Sequence, residues 1–362
     1  MSKTLVSNPR SFRLYTCILF LCCLFSTLSA EMVEEFVFEN PPFASCHAST
    51  ITQTASGTLL CAYFAGSEEG AKDVAIWLSA RSSKGWSAPR LITKESGAPC
   101  WNPVLFTTPS GEILLFYKVG LHPSSWSGAL IRSYDEGKSW TTVENLPAGV
   151  IGPTKNKPLL LENGTLLCGS SVESWRRWGC WMDISKDQGK TWTKSDPINL
   201  KDNLFGIIQP TLFYTPEGTL RLLARSYRTG HICTATSEDG GITWSEAVET
   251  KLPNPNSAID AVRLQSGQIL LVYNHSSKER TPLNLALSDN GGLNFRPLLT
   301  LEDVPGEFSY PSIIQTKDQL VHITYTFNRT QIKHVVIDPF TLEMDENQGD
   351  AIANLSHTEN HP

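Results

Sequence analysis

The stretch S-E-D-G-G-I-T-W, Ser237 to Trp244, decides how this chain is read. It ends one strand, turns tightly and starts another. Asp239 can accept hydrogen bonds from turn amides, Gly241 permits positive φ, and Trp244 can pack back on the hairpin. The pattern recurs as S-Y-D-E-G-K-S-W from Ser133, S-K-D-Q-G-K-T-W from Ser185, S-D-N-G-G-L-N-F from Ser288 and, faintly, S-A-R-S-S-K-G-W from Ser79. Successive starts lie 54, 52, 52 and 51 residues apart. A period of about 50 residues, with one turn and one aromatic per unit, marks a β-propeller.

A second repeat sets the blade count. Apolar runs open at His47, Trp101, Asn156, Gln209, Asn256 and Tyr310. Each ends at a turn, carrying Gly57, Gly111, Gly164, Gly218 and Gly267, with Asp318-Gln319 in the sixth. A second apolar strand follows, as in T-L-L-C-A-Y-F from Thr58 and T-L-R-L-L-A-R from Thr219. A third strand enters the Asp-type turn and a fourth leaves it. The fold class is therefore all-β, a six-bladed β-propeller of four-stranded antiparallel blades, forming one domain over residues 31–343. The sixth unit runs out near Asp338 without a fourth strand. The β-prone run E-E-F-V-F-E, Glu34 to Glu39, is expected to supply it and remove the exposed edge.

The first 30 residues read as a secretory signal peptide. Lys3, Arg10 and Arg13 precede the apolar run Leu14 to Leu28, and Ser29-Ala30 offers a cleavage site before Glu31. The run is short for a span, so no stable membrane span is expected after cleavage; an uncleaved anchor is the alternative. Removing those three basic residues leaves 27 basic against 36 acidic, a net charge of about −9. That balance argues against nucleic acid as a partner. Of nine cysteines, six remain after the leader, none with zinc-type spacing. Cys61 and Cys168 read as apolar filling, whereas Cys46 and Cys100 flank openings of adjacent blades and are candidates for a disulfide. Sequons at Asn163, Asn274, Asn328 and Asn354 suit a secreted glycoprotein. The polar stretch 344–362 is expected to be disordered.

In a propeller the inner strands ring a central funnel, whose mouth lies where first strands start and second strands end. That phase collects His47, Asn102, Lys157, Gln209, Asn256 and Tyr310. It also collects Glu68, Glu69, Asp73, Lys118, Glu173, Arg225, Arg280 and Arg329. Strand ends are polar in any case, but here acids and arginines converge on one rim. Two arginine forks from neighbouring blades could clamp one anionic group; salt bridges to Glu173 or Glu279 are the alternative. Trp175, Trp178 and Trp181 crowd the same region, suited equally to stacking on sugars and to core packing.

On these residues the chain resembles the sialidase superfamily with its Asp-box (BNR) repeats, most closely the sialidase-like proteins of plants and bacteria. The resemblance covers roughly residues 43–338. Its more specific strings are E-E-G-A-K-D-V-A-I-W from Glu68, W-N-P-V-L-F from Trp101, P-N-P-N-S from Pro253 and G-E-F-S-Y-P-S-I-I-Q from Gly306. By blade position it implies that Arg225 and Arg280 are the second and third arginines of a carboxylate-binding triad. Tyr310 is then the nucleophile, and Asp73, with Glu68 and Glu69 as alternatives, the acid/base. Two departures stand out. His47 occupies the region of the first arginine, and Gln209 stands where the glutamate partner of the tyrosine is expected. Glu307 and Glu173 are the candidates to replace that glutamate. The implied activity is a secreted glycoside hydrolase removing a terminal anionic or modified sugar, without metal or other cofactor. A non-catalytic carbohydrate-binding propeller, or a polysaccharide lyase with Tyr310 or His47 as base, remain alternatives. The expected partner is an acidic glycan, and oligomeric state is not legible.

Overall fold

The computed structural model describes residues 32–340. The leader and the tail expected from the sequence lie outside the described residues, as do Cys17, Cys22, Cys23 and Asn354. Six antiparallel sheets follow one another in chain order. Blade one is built from Ser45–Gln53, Leu59–Gly66 and Ala75–Ser82, with its outer edge split between Gly85–Trp86 and Arg90–Thr93. The other five sheets have four strands each. Val33–Phe36 pairs antiparallel with Gln331–Ile337, Glu35 facing His334, and so supplies the outer strand of blade six. The closing run Glu34 to Glu39 is borne out, though its paired part starts one residue earlier and ends at Phe36. Among the described residues the helical content is one 3-10 turn, Pro123–Ser125.

Second strands are buried along most of their length because each blade packs on a neighbour through both faces. Leu59–Gly66, for instance, is buried over seven of its eight residues. The buried apolar residues fall into six clusters, one at each junction. Phe116 and Leu130 of blade two meet Leu166 and Cys168 of blade three. At the ring closure Val37, Phe38 and Ile332 meet Cys46 and Tyr63. The disulfide candidate is corrected here: Cys46 and Cys100 are free, buried thiols belonging to different junctions. Cys61 and Cys168 are buried filling, as expected.

The Asp-type turns join third to fourth strands, on the face opposite the funnel mouth. Asp239 accepts from Thr243 N at 2.9 Å, from Thr243 Oγ1 at 2.6 Å and from Ser237 Oγ at 2.9 Å. These bonds hold its carboxyl down at about 2. Gly241, at φ +87°, lets the turn press onto the preceding blade: a Cβ there would sit 2.6 Å from Leu167 Cδ2. In blade five, Asn290 Oδ1 takes the same place, accepting from Asn294 N at 3.0 Å. The repeat is thus a staple between successive blades rather than a ligand site.

Candidate active site

First strands run from the mouth inward and second strands return to it. The mouth is therefore ringed by first-strand openings, by the loops from second to third strands and by the inter-blade connections. Most first strands carry a bulge just inside this rim. Pairing slips between Trp101 and Val104, between Ile208 and Thr211, and between Ser309 and Ser312. Each gap holds an Xaa-Pro pair: Asn102-Pro103, Gln209-Pro210 and Tyr310-Pro311. Proline has no N–H for the ladder, so the strand buckles there. The residue at this point of the bulge lies in the left-handed region: Asn102 at φ 36°, Gln209 at 54° and Tyr310 at 54°. Ala48 and Asn256 adopt the same conformation in blades one and five. Non-glycine residues held there are uncommon and concentrate at functional sites.

Tyr310 is 8% exposed and belongs to the buried cluster that includes Ala48, Phe64 and Trp101. Its ring lies 4.2 Å from that of His47, centroid to centroid. The guanidinium carbons of Arg225 and Arg280 stand 5.4 and 5.7 Å from its ring. Arg225 Nη2 donates to the tyrosine hydroxyl at 3.1 Å, and the same nitrogen reaches Glu173 Oε1 at 3.5 Å. Glu307 lies between two other arginines, accepting from Arg280 Nη1 at 2.6 Å and from Arg329 Nε at 2.8 Å. Arg329 also bridges to Glu69 across the ring closure. Burial works to raise the Glu307 carboxyl, but Arg329 and Arg280 together hold it below its usual range. His47 is fully enclosed, with Nδ1 on Thr326 Oγ1 at 2.9 Å. Burial, then Arg329, Arg280, Arg225 and Lys155, push its pKa well down, so the imidazole stays neutral.

The structure thus gathers Tyr310, His47, Arg225, Arg280, Arg329, Glu307, Glu173 and Glu69 at one end of the channel. Asp73 and Glu68 lie on the blade-one loop at the same rim. Asp73 accepts from Ser67 N at 2.9 Å and Ser67 Oγ at 2.8 Å, while the exposed Glu68 carboxylate has no partner among the described residues. Several expectations need correction. Among the described residues the tyrosine hydroxyl has no carboxylate beside it: Glu307 is held by two arginines, and Glu173 meets the hydroxyl only through the shared Arg225 nitrogen. Lys118 does not face the funnel. It is fully buried, bonds Pro153 O and Asn102 O at the junction of blades two and three, and burial pushes its pKa down to about 7. Lys157 turns the other way, pairing with Asp260 at 2.9 Å and lining the opening on the opposite face with Gln53 and Gln315. The blade-three opening is irregular, its first strand shrinking to Leu159–Leu160, so the repeat phase fails there.

Gln209 is 1% exposed, and neither end of its side-chain amide has a protein partner; Asn102 Nδ2 is likewise unpaired. Unpaired buried amides are costly, and here they belong to bulge residues of the inner ring. Lys155, missed in the sequence, is fully enclosed next to this ring. It reaches Ile259 O at 3.5 Å and Pro311 O, tying blade three to five and six. Burial above all lowers its pKa to about 7. The signal was a pair of lysines in P-T-K-N-K-P, where the other openings carry none. Of the three tryptophans, Trp181 donates to Asp183 at 2.8 Å, Trp178 packs between Arg225 and Tyr227, and Trp175 is 93% exposed.

A family model for the BNR repeat-like domain matches residues 57–323. A curated sialidase of Bacteroides fragilis (strain YCH46) is 23% identical over 234 residues, 57% of this chain and 42% of its own length. The chain therefore spans less than half of that relative. Among solved structures, a protein of unknown function from Dyadobacter fermentans DSM 18053 superposes with a TM-score of 0.72 at 19% identity, covering 84% of this chain and 97% of its own. The sialidase of Trypanosoma rangeli gives 0.68 at 16% identity, with 91% and 62% covered. At these identities the structural likeness is one of fold.

Proposed function

We propose, for a chain that belongs to the BNR repeat-like domain family, a glycoside hydrolase removing a terminal anionic sugar from a glycan. The observation that carries this reading is the convergence of Arg225, Arg280 and Arg329 around Glu307 and the strained Tyr310. Forked guanidiniums bind a carboxylate in two-point fashion. Arg280 offers donors beyond the one given to Glu307, and two guanidiniums face that single carboxylate. Arg329, from blade six, supplies the third cation in place of the arginine missing from blade one.

A phenol suits an anionic substrate, because a carboxylate nucleophile would be repelled. Tyr310 Oη attacks the anomeric carbon as the glycosidic bond breaks, and the leaving oxygen takes its proton from Asp73, with Glu68 and Glu69 as alternatives. The phenolic proton reaches Glu173 through a water, since the two groups share Arg225 Nη2 without touching each other. Water then attacks the anomeric carbon and gives a proton to the carboxylate that acted as acid, while the departing tyrosine oxygen takes its proton back from Glu173. No step uses a metal.

A second reading, lyase chemistry, is favoured by the neutral His47 ring against Tyr310. There the arginines neutralise a uronate and one of the two side chains removes the proton beside it. A turnover screen with aryl glycosides of N-acetylneuraminic and glucuronic acids, and with acidic polysaccharides, tests both. Released sugar that vanishes in Tyr310→Phe supports the hydrolase. Products absorbing in the ultraviolet support the lyase. Saturable binding without turnover leaves a carbohydrate-binding propeller.

The reading extends to secretion. Asn163 lies in an exposed turn open to glycosylation, whereas Asn274 is fully buried, with Nδ2 donating to Pro282 O and Phe308 O. Expression in a secretory host should give material sensitive to endoglycosidase, with Asn274 unmodified; intracellular, unglycosylated protein would count against secretion.

A further inference from the structure

Beside the clamp, an aromatic surface leads outward over blades three and four. Arg225 lies over Trp178 at 5.6 Å, and Trp178 packs on Tyr227 with centroids 4.8 Å apart. Tyr227 meets Phe205 at 5.4 Å. The guanidinium of Arg228 lies over both, 4.8 Å from Tyr227 and 5.1 Å from Phe205. Trp175 and Leu204 border the same cleft, of about 560 Å³, and are 93% and 76% exposed. All of these residues sit on mouth-side segments: the loops after the second strands of blades three and four with the strand ends that flank them, Arg225 and Trp178, and the connection between the blades.

Three features separate this surface from scattered exposed apolar side chains. It is continuous with the clamp, because Trp178 touches both Arg225 and Tyr227. Arg228 is held at φ 66°, a conformation that costs a non-glycine residue free energy. Its guanidinium has no carboxylate partner among the described residues, only the two rings, so its N–H edge is available to a ligand. Aromatic faces offer apolar area to the C–H face of a pyranose, and a guanidinium edge donates to ring hydroxyls or an acid group. We propose that this surface is a second sugar subsite, holding a pyranose residue next to the terminal one on the same glycan chain. The inference rests on the glycan-processing reading and gives it a preference: oligosaccharides over monosaccharides.

The test titrates wild type, Trp175→Ala and Arg225→Ala with N-acetylneuraminic acid and with 3′-sialyllactose, and with glucuronic acid and aldotetraouronic acid. The expected result is that each oligosaccharide binds wild type at least tenfold tighter than its monosaccharide. Trp175→Ala should remove that ratio and leave monosaccharide affinity unchanged, whereas Arg225→Ala should weaken both classes. The subsite is overturned if wild type shows no length preference, or if Trp175→Ala keeps it. Monosaccharide binding without length dependence would leave the clamp standing and remove only the subsite. Length-dependent binding indifferent to Arg225 would do the reverse. Arg228→Ala gives a second probe, expected to reproduce Trp175→Ala. Saturable binding of the Trp175 surface to lipid vesicles, with no oligosaccharide bound, would also overturn it.

Discussion

Replacing Glu35 by alanine should loosen the ring where it closes. Glu35 lies on the N-terminal strand that completes blade six, and one of its oxygens gathers three donors. Arg81 Nε reaches it at 2.6 Å, Trp86 Nε1 at 3.1 Å and His334 Nδ1 at 2.9 Å. Because Glu35 can only accept, His334 carries its proton on Nδ1 and offers Nε2 as acceptor, and His322 Nδ1 donates to it at 3.0 Å. The carboxylate thus joins the closing strand to blade six through the histidines and to blade one through Arg81 and Trp86. A hydrogen bond to a charged acceptor contributes about 1.5–3 kcal/mol. Arg81 is partly exposed and can turn to water, whereas His334 is enclosed. Crediting His334 and Trp86 gives a loss of about 3 kcal/mol. At roughly 2 °C per kcal/mol for a chain of this size, the melting temperature should fall by about 6 °C.

The pH dependence provides an internal control. His334 and Arg81 hold the folded Glu35 carboxyl at about 2 against burial, below its ordinary 4.5. Its contribution is present above pH 4.5 and is lost as pH falls through about 2. The gap between wild type and Glu35→Ala should therefore narrow over that window. His322 behaves differently. Burial, helped by His334, lowers its folded pKa to about 4 from 6.5, so in wild type its contribution is present above 6.5 and lost as pH falls through 4. Thermal denaturation followed by near-ultraviolet circular dichroism from pH 7 to 3 checks this. A drop under 2 °C at pH 7, or a gap that does not shrink with acid, would refute the reasoning.

Two further outcomes follow from the fold. Asp239→Ala should cost about 1 kcal/mol for the lost turn bonds and leave sugar binding unchanged, since the turn lies on the face away from the mouth; lost binding at an unaltered melting temperature would contradict that. The six cysteines of the described residues are buried with raised thiol pKa values, burial being the chief cause. An aromatic disulfide reagent should therefore find none of them reactive in the native protein and all six after denaturation.

The architecture was legible because its period is written in local chemistry. Each Asp-type turn carries an Asp or Asn, a glycine and an aromatic at fixed offsets, and the double-faced packing of blades calls for largely apolar second strands. The Arg225–Tyr310 grouping was readable for the same reason: repeat phase places residues from separate blades at one rim. Phase failed where the backbone departed from it. The irregular opening of blade three sends Lys157 to the opposite face and brings Lys155 inward, and no periodic pattern records that change. Lys118 was misplaced because a lysine at a strand end looks solvated in sequence, yet here two backbone carbonyls enclose it. Carboxylate contacts were also beyond the sequence. Whether Glu307 faces Tyr310 or two arginines depends on side-chain directions that strand phase does not set.

The most direct measurement of the arginine clamp is calorimetric titration with an acid sugar and its neutral counterpart, glucuronic acid against glucose, and separately with N-acetylneuraminic acid. The acid sugars should bind wild type and glucose should not. Arg225→Ala should weaken the acid sugars by about 2 kcal/mol, roughly thirtyfold, for the loss of a charge-assisted pair. Equal affinity for glucose and glucuronic acid, or acid-sugar binding untouched by Arg225→Ala, would contradict a carboxylate clamp at this mouth.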